Sequence, residues 1–152
     1  MIEVIPFPAR PSASFATQLR SAAEDQKIEG IIIEFSSDDP TADEDLELWL
    51  RGDGVIDSLR ETLRSLETQP KPSVALIHQS LSGLAFEVAL ACHKRIVSNP
   101  DVVFRWPWFD LGLLPALGTA RRLSHFAGLE KIRPVVSVVW VFFGALSEET
   151  FR

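Results

Sequence analysis

Apolar strand-like runs alternate with amphipathic helical segments along this chain, and that alternation restricts it to βαβ units around a parallel sheet. The clearest run is Ile31-Ile32-Ile33-Glu34-Phe35. It is continuous and β-branched, as expected of a strand buried on both faces. Before it, a helical pattern over 12–26 carries Phe15, Leu19, Ala22 and Ala23 on one side, with Ser12 or Ser14 as N-cap. A short edge strand over 1–5 opens the chain, and Pro6, Pro8 and Pro11 stop it.

The same grammar continues downstream. A helix start at 46–50 is interrupted by Gly52 and Gly54, and an amphipathic helix then runs over 55–66, with Leu59, Leu63 and Leu66 inward. Gln69-Pro70-Lys71-Pro72 breaks it and leads into a strand over 73–78. A helix over 84–94 is apolar on almost every side, so it belongs inside the domain. Short strands over 95–98 and 102–104 flank an Asn99-Pro100-Asp101 turn, and a helix over 117–126 follows. The segment 135–146 is apolar and β-branched and fits either a buried helix or a strand.

Length and composition narrow the function classes. The 152 residues, 46% apolar and 24% charged, suit one soluble globular domain over 1–152. A net charge of −6 opposes a nucleic-acid surface. The basic pairs Lys94-Arg95 and Arg121-Arg122 read as solvated faces, although one phosphorylated ligand could use a pair. The lone cysteine, Cys92, excludes an intrachain disulfide and a Cys-based zinc site, and its Ala-rich surroundings make it a small core residue. His78, His93 and His125 have no metal-ligand spacing, so no metal is expected. The N-terminus lacks a signal-peptide pattern, and no apolar stretch reaches the ~18–20 residues of a membrane span, so the expected location is cytoplasmic.

Chemistry concentrates over 72–123. There a strand ends in a turn of small residues (Ser80, Ser82, Gly83) that opens directly into a helix, an arrangement that aims backbone N–H groups at an anion or oxyanion. Glu87 is the one acid in that helix. As a first-turn acid it complements the helix dipole. Surrounded by Ala85, Phe86, Val88 and Leu90, it is equally suited to general acid/base work. The acidic loop 36–45 reads as solvated, yet it follows a parallel strand, where α/β proteins place binding loops. Trp106-Pro107-Trp108-Phe109 is either core filler or the aromatic wall of a cleft. Ser82 has the position of a nucleophile-elbow serine, but sequence assigns it no histidine.

The order of these pieces resembles the crotonase superfamily, the enoyl-CoA hydratase/isomerase group. The resemblance rests on Leu81-Ser82-Gly83-Leu84-Ala85-Phe86-Glu87-Val88-Ala89-Leu90-Ala91-Cys92-His93, on Phe104-Arg105-Trp106-Pro107-Trp108, and on Leu111-Gly112-Leu113-Leu114-Pro115-Ala116-Leu117-Gly118-Thr119-Ala120-Arg121-Arg122-Leu123. Upstream, Ala42-Asp43-Glu44-Asp45-Leu46 falls where the family has a second oxyanion loop. The implied fold is the α/β ClpP/crotonase ββα-superhelix, abbreviated and lacking the C-terminal helical trimerisation region.

The resemblance implies an acyl-CoA thioester as ligand, with coenzyme A entering as part of the substrate and no separate cofactor. The implied oxyanion donors are the backbone N–H groups of Leu84 and Glu44, and the implied acid/base is Glu87. Pro107, Trp108 and Asp110 would line the substrate pocket. Trp108 occupies the place of the family's second glutamate and has no proton to transfer, so one-acid chemistry is expected rather than two-glutamate hydration. Leu84 and Ala85 stand where the family has glycines; a left-handed backbone there would cost each about 1–2 kcal/mol. Three functions follow as expectations: enoyl-CoA hydratase/isomerase-like chemistry, a catalytically degenerate crotonase fold serving as a binding or assembly module, and a serine hydrolase on a related fold. A homo-oligomer or a partner subunit is expected to cover 135–146.

Overall fold

The computed structural model describes residues 1–8, 12–36, 51–52, 54–106, 117–127 and 141–142. Its principal sheet has four parallel strands: β1 (Ile2–Pro6), β2 (Gly30–Phe35), β3 (Ser73–Ile77) and β5 (Lys94–Val97), in the spatial order β1-β2-β3-β5. Among the described residues, the helices given whole between them are α1 (Ala13–Glu24), α2 (Val55–Thr68) and α3 (Gly83–Ala91). A smaller sheet joins β4 (Leu81–Ser82), β6 (Val103–Arg105) and β7 (Val141–Phe142), with β4 parallel and β7 antiparallel to β6. The helix α4 (Thr119–Ala127) packs against α3.

In the principal sheet, each new strand is added to the same edge. Right-handed crossovers in one direction put connecting helices on the same face. The strand burial follows from this. Ile31, Ile33, Phe35, Ala75 and Ile77 face the helices and are buried. On the opposite face Ile32, Glu34, Val74 and Leu76 are only partly buried, and Ile2, Val4 and Ile96 are exposed. The expectation that 31–35 is buried on both faces is therefore corrected: β2 has one covered face, because the sheet is wound in one direction only.

The covered face carries the core. Phe7 sits between Phe15 and Phe35, with ring centroids 5.2 and 5.0 Å away. Phe86 of α3 stacks on Phe104 of β6 at 5.1 Å, which ties α3 to the smaller sheet. Long cations close two helix C-termini, where carbonyls lack intrahelical donors. Lys71 Nζ donates to the carbonyls of Ala23 (2.7 Å) and Asp25 (2.6 Å) beyond α1. Arg95 Nη1 donates to those of Leu90 (3.2 Å) and Cys92 (2.8 Å) beyond α3.

The expected helix over 84–94 ends earlier, at Ala91. The apolar pattern does run on, but the sheet claims the following residues: Lys94 pairs with Val74 and Arg95 with Ala75. Ser73 fixes the corner between. Its hydroxyl donates to Nδ1 of His93 at 2.7 Å and accepts the His93 N–H at 3.0 Å. Strand β1 is an edge strand as expected, and 55–66 and 73–78 read correctly to within two residues. Of 135–146, only Val141–Phe142 is described, as a strand.

Candidate functional site

The turn that opens α3 is built without strain. Gly83 takes the left-handed conformation with φ 54°, and no residue type other than glycine has positive φ among those described. Leu84 and Ala85 are ordinary helical residues, so the side chains that replace glycine carry no left-handed penalty. The N–H of Leu84 belongs to the first helical turn, where backbone donors point out of the N-terminus. Glu87 lies three residues further on, on the same side of the helix.

Glu87 is fully buried. Its Oε1 accepts the Leu117 N–H at 3.2 Å and the Thr119 hydroxyl at 2.8 Å. Leu117 and Thr119 are themselves buried, at the entry to α4. The carboxylate therefore spans two helices and fixes where α4 begins. Sequence leaves Glu87 open between a first-turn dipole partner and an acid that is partly buried or faces a cleft. Helix α3 begins at Gly83 with no acid in its first turn, which corrects the first reading, and Glu87 is buried with an anchoring contact to the start of α4. Glu44, Pro107, Trp108 and Asp110 lie outside the described residues. Trp106 of the same aromatic run is a buried core residue.

Leu117 links Glu87 to a second polar cluster. Its carbonyl accepts a hydrogen bond from Arg122 Nη1. Arg122 Nε and Arg121 Nη2 both donate to the carboxylate of Glu67 on α2. Of the pair Arg121-Arg122, read from sequence as a solvated face or a phosphate site, Arg121 is 76% exposed as the first reading expects, whereas Arg122 is buried against Glu67. Cavities of about 620 and 590 Å³ flank this cluster. The first is lined by His93 and His125, the second by Arg60 and Arg64, and Glu87 lines neither.

Cys92 is buried as expected, and burial pushes its thiol up to about 12 in spite of Arg95 and Arg122 nearby. Burial likewise lowers the Arg95 guanidinium from its ordinary value, with Cys92 opposing. Ser82 is the N-cap of α3 and only 7% exposed, a poor position for a nucleophile. Among the described residues no group of three or more His, Cys, Asp or Glu is placed to hold a metal ion. No described helix is long and apolar enough to cross a membrane.

Sequence reading misses one cluster. At the carboxyl end of the principal sheet, His78 Nδ1 lies 2.9 Å from Ser98 Oγ, and its Nε2 lies 3.3 Å from Glu34 Oε1. These residues are 20 and 44 positions apart in the chain. Only the strand register joins them: Ile77 pairs with Val97, so His78 neighbours Ser98, and Glu34 pairs with Leu76, two residues from His78 on the same face. The local pattern of each strand holds no sign of it.

No protein-family model matches the chain. It is 45% identical over 65 residues to the fatty acid oxidation complex subunit alpha of Shewanella halifaxensis, covering 42% of this chain and 9% of that protein. It is 33% identical over 72 residues to a probable enoyl-CoA hydratase of Bacillus subtilis, covering 47% of this chain and 28% of that one. The matched stretches thus span well under two thirds of either relative. Among solved structures, an enoyl-CoA hydratase from Geobacillus kaustophilus superposes with a TM-score of 0.75 at 17% identity, covering 95% of this chain and 62% of that one. One from Bacillus halodurans gives 0.71 at 24% identity, covering 93% and 61%. With its parallel sheet, its glycine-opened α3 and this agreement in shape, the chain has the fold of the crotonase superfamily and spans 61–62% of the two hydratase chains compared with it.

Proposed function

We propose that this chain binds an acyl-CoA thioester at the amino-terminal end of α3, with the Leu84 N–H as an oxyanion donor and Glu87 as its single acid/base. The carrying observation is the unstrained turn: Gly83 alone absorbs the positive φ, so Leu84 and Glu87 keep a helical spacing of three on one side of α3. Fixed donors aimed at developing negative charge are the largest single contribution in enolate-forming chemistry. The names of the hydratase relatives support the thioester class. Glu44 would supply the second donor, and Pro107, Trp108 and Asp110 the pocket wall. With Trp108 in the place of a second acid, the reaction is one that a single carboxyl can run, such as a double-bond shift, thioester hydrolysis or decarboxylation.

A specific observation favours the alternative, a binding module without turnover. Glu87 is already engaged by Leu117 and Thr119, as an anchoring carboxylate would be. One experiment separates the two. Binding of crotonyl-CoA and malonyl-CoA is measured by calorimetry for the wild type and Glu87→Gln. Their conversion is followed by liquid chromatography coupled to mass spectrometry, which separates double-bond isomers of equal mass and detects loss of carbon dioxide or free coenzyme A. The enzyme reading expects binding by both and turnover by the wild type only. Binding without turnover by either supports the module. Absence of binding by the wild type overturns both.

A further inference from the structure

We propose that Ser98, His78 and Glu34 form a nucleophile, base and orienting carboxylate that hydrolyse carboxylic esters or thioesters carrying an apolar acyl chain. This goes beyond the acyl-CoA reading and uses neither Glu87 nor Leu84. The proton positions follow from the contacts. A carboxylate only accepts, so Nε2 of His78, facing Glu34 Oε1 at 3.3 Å, carries the ring hydrogen. Nδ1 then presents its lone pair to Ser98 Oγ at 2.9 Å, and the hydroxyl donates. The competing acceptor, the Ile77 carbonyl, is 3.3 Å from Oγ and already takes the Ser98 N–H at 2.9 Å.

A second Ser–His pair in the same molecule shows what an anchoring version looks like. Ser73 Oγ is 2.7 Å from His93 Nδ1, but Ser73 is fully buried and its oxygen also accepts the His93 N–H. At the other site Ser98 is exposed, and the side chains of His78 and Glu34 are 38% and 35% exposed. His78 and Ser98 lie just beyond the carboxyl ends of β3 and β5, and Glu34 is the penultimate residue of β2, at the end of the sheet where open parallel sheets receive ligands. Two residues back along each strand, on the same face, stand Ile32, Leu76 and Ile96, and Ile96 is 51% exposed. Leu76 and Ile96 are paired neighbours, and Ile32 stands one row back beside Val74; this aliphatic patch on the outer face is a surface for an apolar acyl chain.

In the reaction Ser98 Oγ bonds to the carbonyl carbon while His78 Nδ1 takes the hydroxyl proton. The bond to the leaving oxygen or sulfur then breaks, and His78 returns the proton to it, which gives an acyl-Ser98 ester and a free alcohol or thiol. Water, deprotonated by His78, next adds to that ester; the acid leaves and Ser98 regains its proton. Glu34 is a positioning residue that holds the imidazole tautomer.

The test uses the whole chain with an alkyl fluorophosphonate and with p-nitrophenyl butyrate. The expected adduct is single and maps to Ser98. It is absent in Ser98→Ala, and labelling slows about 10²-fold in His78→Gln. Glu34→Gln lowers kcat for the ester about tenfold or more at unchanged KM, and Glu34→Asp restores part of it. A Ser98→Cys variant is alkylated by iodoacetamide faster than the double variant that also carries His78→Gln. Adducts on another serine, wild-type ester hydrolysis by Ser98→Ala, equal alkylation rates with and without His78, or no reaction of the wild type with either reagent would each overturn the proposal.

Discussion

A buried carboxylate that two helices share is sensitive to the loss of either donor. Thr119 gives Glu87 its shorter bond, 2.8 Å. Thr119→Val keeps the shape and removes the hydroxyl, which leaves a buried acid with one donor fewer. The expected cost is about 1–3 kcal/mol in urea unfolding, the range for depriving a buried polar group of its partner. Cys92 provides a pH reading. Its folded-state pKa of about 12 stands above the ordinary 9.0 because burial disfavours the thiolate. Its contribution to stability is therefore fully present below pH 9 and is lost as pH rises toward 12. Unfolding titrations across that window check the sign. At about pH 8 the native thiol should resist a disulfide reagent that labels the unfolded chain completely.

At the scale of elements, the entry to α4 depends on Gly118. Its φ is +87°, and a methyl there would stand 3.3 Å from Arg122 Nη1. Gly118→Ala should cost about 1–2 kcal/mol through the left-handed penalty alone, with further loss if Arg122 is displaced from Leu117. Helix and strand types are largely legible in the sequence, because 3.6-residue and two-residue periods differ over these lengths. The end of α3 is not. Its apolar run continues through Cys92, and only pairing of Lys94 with Val74, a partner distant in sequence, stops the helix. Glu87 stands out as a lone acid in an apolar helix. The site at Ser98, His78 and Glu34 is invisible there, since strand register, not local pattern, brings those residues together.

For the whole molecule, the one-sided sheet predicts an asymmetry in tolerance. Ile77 is fully buried on the helix-covered face, and Ile96 is 51% exposed on the other. Ile77→Ala should lose about 2–5 kcal/mol. Ile96→Ala should stay within about 0.5 kcal/mol, as surface substitutions do. Paired melting curves measure both, and equal losses would mean that the outer face is covered. The order of strands has one more consequence. In β1-β2-β3-β5, space follows synthesis, so none of these four described strands has to wedge between two already paired. As the chain leaves the ribosome, each βα unit can dock on a finished edge before the next emerges, much as a row of bricks is laid from one end. The slow search that long-range parallel pairing usually imposes is thereby split into short successive steps.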